Sequence, residues 1–86
     1  MSSYVFVEDT RITRKTGTII GFLRDYSEES QAEFGEKVGI SQSAVSAIEK
    51  GRKLASPDLV QRIADRFGIS YEKVCGVTPI RRCELI

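Results

Sequence analysis

In "SQSAVSAIEKGRK", residues 41–53, the polar or very small residues Gln42, Ser43, Ser46, Ala47 and Lys50 recur at spacings that suit one side of a helix. At about 100° per residue they fall within a continuous arc of roughly 140°. Ala44, Val45 and Ile48 take the opposite side. A solvated helix face usually carries Glu, Lys and Arg, whereas this one is short-chained and nearly uncharged. Its chemistry is that of paired hydrogen bonding at close range. A glutamine carboxamide donates and accepts side by side, as the major-groove edge of adenine requires; a serine hydroxyl does either, and an alanine methyl meets the methyl of thymine. Small side chains also let such a helix sit deep in a groove. Gln42, Ser43, Ser46 and Ala47 are therefore the candidate base-reading residues.

The elements that must hold this face are marked by caps. From Thr18 onward Ile19, Ile20, Leu23 and Tyr26 recur at helical spacing and predict a first helix ending near "DYSEES". "SQAE" at 30–33 is a capping box, so a second helix starts at Gln31 and stops at Gly39. Ser41 caps the third helix, with Ile40 placed to pack on Val45, and Gly51 ends it. Ser56 and Pro57 open a fourth helix with the stripe Leu59, Val60, Ile63, Ala64 and Phe67, closed by Gly68. Ser70 caps a short fifth helix ending at Gly76. The connection between helices two and three is so short that they must cross steeply, in the helix-turn-helix manner. Gly35 supplies the small residue that such a crossing needs, and Phe34, Val38, Ile40, Val45 and Ile48 form the wedge.

The flanks read differently. "SYVFVED" and "TPIRRCELI" lack a helical period and read as short strands. Isolated strands need partners, so the two are expected to pair with each other and with a second copy, joining two domains into a dimer. The competing expectation is a flexible basic arm over residues 1–15, with Arg11, Arg14 and Lys15 laid along DNA. The expected architecture is mainly α: a single domain over 1–86, with a five-helix core at 17–76, the motif at 31–50, and flanking β-strands at 1–15 and 77–86.

Composition narrows the function classes. The 86 residues carry 13 basic and 12 acidic side chains, a net charge of +1, so any positive field must come from segregation. Arg11, Arg14, Lys15 and Arg24 precede an acidic run of Asp25, Glu28, Glu29, Glu33 and Glu36, and basic residues return at Lys37, Lys50, Arg52 and Lys53. With no His, neither a Cys-His nor a Ser-His nucleophile is available, and Cys75 and Cys83 fit no common metal spacing. They read as reduced thiols of packing value. No catalytic residue, metal or cofactor is expected, and so small an all-helical core offers little concavity for an enzyme. The apolar runs are too short to cross a bilayer and the start lacks a signal-peptide pattern, which predicts a cytoplasmic protein without membrane contact.

The stretch "SQAEFGEKVGISQSAVSAIEKGRK" resembles the helix-turn-helix of the Cro and repressor class of lambdoid phages, the XRE-like family of phage and bacterial regulators. The likeness spans roughly residues 17–75 and implies a lambda-repressor-like fold and a homodimeric repressor reading a palindromic operator in double-stranded DNA. It implies that Gln42 reads an adenine and that Gln31 bridges Gln42 to a phosphate, while Ser43 and Ala47 match base-contacting positions. Phosphate contacts fall to Gln31, Ser41, Ser46, Lys50, Arg52 and Lys53. Arg24 and Glu49 match a buried ion pair of some members. Glu29 departs from the pattern, standing where members carry an apolar residue; Tyr26 is expected to fill that gap. An interaction module of antitoxin type, retaining the motif but holding a partner protein and regulating its own expression, is the alternative reading.

Overall fold

In the computed structural model the structure describes residues 9–85, the side chain of Arg82 excepted. Five helices follow in order: α1 Arg14–Tyr26, α2 Gln31–Val38, α3 Gln42–Glu49, α4 Pro57–Phe67 and α5 Tyr71–Cys75, with a short 3-10 turn at Arg82–Glu84. Each start is explained by its cap. Ser30, Ser41, Ser56 and Ser70 accept from the backbone N–H three residues on, and Ser30 and Glu33 close their box reciprocally. Gly39, Gly68 and Gly76 end α2, α4 and α5 in the left-handed conformation.

The first helix starts four residues earlier than its apolar period suggests, at Arg14 rather than Thr18. Thr13 caps it, pairing reciprocally with Thr16. The reason is that α1 turns Thr16 and Gly17, not apolar side chains, inward over that turn. Thr16 is fully buried, and its hydroxyl donates to the Cys75 carbonyl at 3.0 Å, which ties α1 to the end of α5. A Cβ on Gly17 would lie 2.1 Å from the Ile48 carbonyl oxygen, so glycine is what lets α1 lie directly against α3.

Phe34, Ile20, Leu23, Val45, Val60, Ile63 and Val74 fill the centre, and the α4 stripe Leu59, Val60, Ile63, Ala64 and Phe67 is wholly buried. Ile40 packs half-buried against this core beside the turn. At Gly35 a Cβ would meet the Ile40 carbonyl oxygen at 2.6 Å, so the steep α2–α3 crossing requires its absence.

The expected flanking strands are overturned. The described residues contain no strand. Asp9–Arg11 forms a turn whose Asp9 carbonyl accepts from Ile12 N, and residues 14 and 15 already belong to α1. The strand reading of residues 1–8 lies outside the described residues. At the C-terminal end, Glu84 N returns to the Arg81 carbonyl at 2.9 Å and the Glu84 carboxylate accepts from Lys73 Nζ. A strand needs an edge to pair with, and an all-helical body provides none; Ile80 and Leu85 reach apolar cover by packing on the helices instead. The share of the expected intermolecular sheet assigned to residues 77–85 falls with that strand.

Candidate nucleic-acid interface

Helix α3 is pinned by the core and by α1, and this decides which of its faces remains open. Val45 and Ile48 enter the core, while α1 lies against Ile48 and Glu49 across Gly17 and Gly21. Gln42 and Ser43 are exposed and Ser46 and Ala47 half-buried. These four, with Gln31, Lys50 and Arg52, line one open concavity of about 440 Å³. The base-reading candidates are thus brought together, with two cations and the first residue of α2 on the rim. Ser41 and Lys53 are exposed but do not line the concavity; the Ser41 hydroxyl accepts from Ala44 N at 3.1 Å.

The three arm candidates separate. Arg11 is drawn to α5: it pairs with Asp9 and Glu72, both at 2.9 Å, and its guanidinium lies 4.9 Å from the centre of the Tyr71 ring. Lys15 lies beside Gly76 at the end of α5. Arg14 alone approaches α3, its Cδ 3.4 Å from where a Cβ on Gly51 would be, next to the Lys50–Arg52 turn.

Beneath the concavity Arg24 and Glu49 form a two-pronged ion pair, Nε to Oε2 at 2.6 Å and Nη2 to Oε1 at 3.0 Å, with side chains 21% and 13% exposed. The carboxylate holds Arg24 above its ordinary pKa, against the opposing effect of burial. Arg24 Nη1 also donates to the Glu29 carbonyl at 2.8 Å, so one side chain fastens α3 to the α1–α2 loop. Gln31 Nε2 donates to Glu49 Oε1 at 3.3 Å. Gln31 was expected to bridge Gln42 and a phosphate; what the structure records is this bond to Glu49.

Glu29 is the residue that sequence reasoning misplaced. Its side chain is only 8% exposed and accepts from Arg66 Nη2 and Lys37 Nζ, both at 2.5 Å, and from the Ser27 hydroxyl at 3.0 Å. Arg66 first, then Lys37 and Ser27, bring its carboxyl down to about 2 against the opposing effect of burial. An ionised hub therefore occupies the position where an apolar residue is usual. Tyr26 does not fill it: that ring is 38% exposed, beside Phe22 on the outer side of α1. Arg66 comes from α4, 37 residues away, so no local spacing announces the pair.

A profile of the helix-turn-helix family matches residues 30–74, from the cap of α2 through most of α5. The chain is 33% identical over 73 residues to a protein named Antitoxin PezA from Streptococcus pneumoniae serotype 4, an alignment covering 80% of this chain and 46% of that relative. The chain thus spans about half the length of the curated relative it matches. No solved structure matched.

Proposed function

Since this chain belongs to the helix-turn-helix family of the Cro and phage-repressor type, we propose that it is a DNA-binding transcriptional regulator that represses by occupying a palindromic operator as a homodimer. One observation carries the reading: Gln42, Ser43, Ser46 and Ala47, uncharged and short, share one concavity with the cations Lys50 and Arg52. In this reading α3 enters the major groove. Gln42 pairs with adenine, Ser43 and Ser46 complete the polar contacts, and Ala47 touches a thymine methyl. Lys50, Arg52 and Lys53 neutralise phosphates, which sets affinity and its salt dependence rather than sequence. Arg14, beside Gly51, extends that basic rim from α1. The reading assigns no catalytic residue and no cofactor. One recognition helix covers few base pairs, and a two-fold pair about 34 Å apart reads successive major grooves on one side of the duplex. Selection of binding sites from randomised duplexes tests this: a two-fold symmetric consensus is expected, and recovery of unrelated sequences would contradict it.

A second reading is favoured by the antitoxin named among its relatives: the chain also holds a protein partner. Phe22 and Tyr26, each 38% exposed with ring centres 6.5 Å apart, stand on the outer side of α1, away from the concavity. No helix among the described residues is long and apolar enough to cross a membrane. DNA binding indifferent to changes at Gln42 and Ser43 would move the weight to this reading.

A further inference from the structure

Helix α1 carries a seam that its own fold leaves open. Lys15, Thr18, Phe22, Asp25 and Tyr26 are exposed and Ile19 is half-buried, and their spacing of three and four residues sets all six on one side of the helix. The other exposed large apolar residues, Leu54 and Val77, stand singly outside the helices and call for no partner. The charges of the seam are divided. Lys15 lies near its N-terminal end and Asp25 near its C-terminal end, and neither enters an ion pair among the described residues.

That division selects what fits the seam. Two copies of α1 laid parallel would set Lys15 on Lys15 and Asp25 on Asp25. Laid antiparallel about a two-fold axis, they set Lys15 of each copy on Asp25 of the other, and Phe22 of each over Thr18 and Ile19 of the other. The helix dipoles then also oppose favourably. The place of α3 agrees with this pairing. It lies against α1 across Gly17 and Gly21, roughly 120° round the helix from the seam. A two-fold axis perpendicular to both α1 helices leaves that flank facing the same way along the axis in both copies. Both α3 helices therefore stand on one side of the pair, as contact with one duplex requires.

Resting on the reading of the chain as a homodimer on a two-fold operator, we propose that the α1 seam is filled by the α1 seam of a second copy, packed antiparallel with reciprocal Lys15–Asp25 ion pairs. With 13 residues α1 is about 20 Å long, so one such helix pair buries less than the ~1,200 Å² of a standard stable complex. Free chains therefore associate weakly, and a duplex that holds two copies side by side completes the pairing.

Charge reversal tests this. Lys15→Glu and Asp25→Lys each set like charges at both ends of the pair, whereas the double variant restores opposite charges in reverse order. Each also puts at its end of α1 the charge that the helix dipole favours, so melting temperatures stay near the parent's and lost association is not lost fold. Sedimentation equilibrium of the free full-length chain, up to about 1 mM at low salt, is expected to show a dimer that weakens about tenfold in either single variant and recovers in the double. Phe22→Ser weakens it without recovery. Cooperativity on the selected operator, read as affinity for two half-sites against that for one in the same variant, follows the same order. A chain that stays monomeric at the highest concentration overturns the proposal and leaves the seam to a different protein. A dimer indifferent to both charges, or not restored by the double reversal, overturns it too; if operator binding stays symmetric and cooperative there, the operator reading stands and the interface lies elsewhere. Charge-dependent dimers of a chain that selects no symmetric consensus keep the interface and locate the failure in the operator reading.

Discussion

Replacing Glu29 by Gln removes one negative charge from a nearly buried site while keeping its volume, and leaves Arg66 and Lys37 facing a neutral amide. Arg66 retains the faces of Phe34 and Phe67, 5.5 and 4.9 Å from its guanidinium carbon, and its Nη1 is already buried without a hydrogen-bond partner among the described residues. The magnitude follows from proton linkage. Glu29 titrates near 4.5 when unfolded and at about 2 when folded. Its folded pKa is depressed, so its contribution is complete above pH 4.5 and disappears as the pH falls through 2. At about 1.4 kcal/mol per pH unit that gap gives at most about 3 to 4 kcal/mol, and exposure of the Lys37 arm lowers it to about 2. For a domain of this size the melting temperature should fall by roughly 10 °C at neutral pH. The assay is chemical denaturation of parent and Glu29→Gln between pH 7 and pH 2, taken as a difference so that Glu33 and Glu84, whose pKa values are also lowered, cancel. The difference should be constant above pH 5 and shrink toward pH 2. A difference independent of pH would refute the assignment of Glu29 as an ionised hub.

Three further outcomes follow from the same contacts. Gly17→Ala puts a methyl 2.1 Å from the Ile48 carbonyl, so α1 and α3 must part; despite better helix propensity, thermal melts should show a loss of about 2 to 4 kcal/mol, with DNA affinity falling alongside. Arg24→Ala strands a Glu49 carboxylate that is 13% exposed and should cost about 2 to 4 kcal/mol by denaturant titration, somewhat under the value for a fully buried pair. Arg52→Ala should weaken operator and mixed-sequence DNA alike and reduce the slope of log affinity against log salt by about one, read by fluorescence anisotropy.

What the sequence made legible was local. Serine caps, closing glycines and the apolar period of α4 act within a few residues, and each lies where its spacing places it. The polar arc of α3 was equally legible, because a helix fixes which residues share a side. Long-range features were not. Glu29 stood out only as a departure from the family pattern because its partner Arg66 lies on another helix, and nothing marked Gly17 because the Ile48 carbonyl it accommodates is 31 residues on. The C-terminal strand was inferred from alternation in "TPIRRCELI", yet alternation specifies a strand only where a sheet edge exists; the same Ile80 and Leu85 pack equally well on helices. Arg11 showed how a basic residue can be spoken for: Asp9 and Glu72 neutralise it on the α5 side.

The central claim is that the α3 face reads bases. Its most direct test is the affinity of parent and Gln42→Ala for the selected operator and for mixed-sequence DNA, measured side by side at one salt concentration. The account predicts a loss of about 1 to 3 kcal/mol on the operator and almost none on mixed sequence. Equal losses on both, or none on the operator, would contradict it.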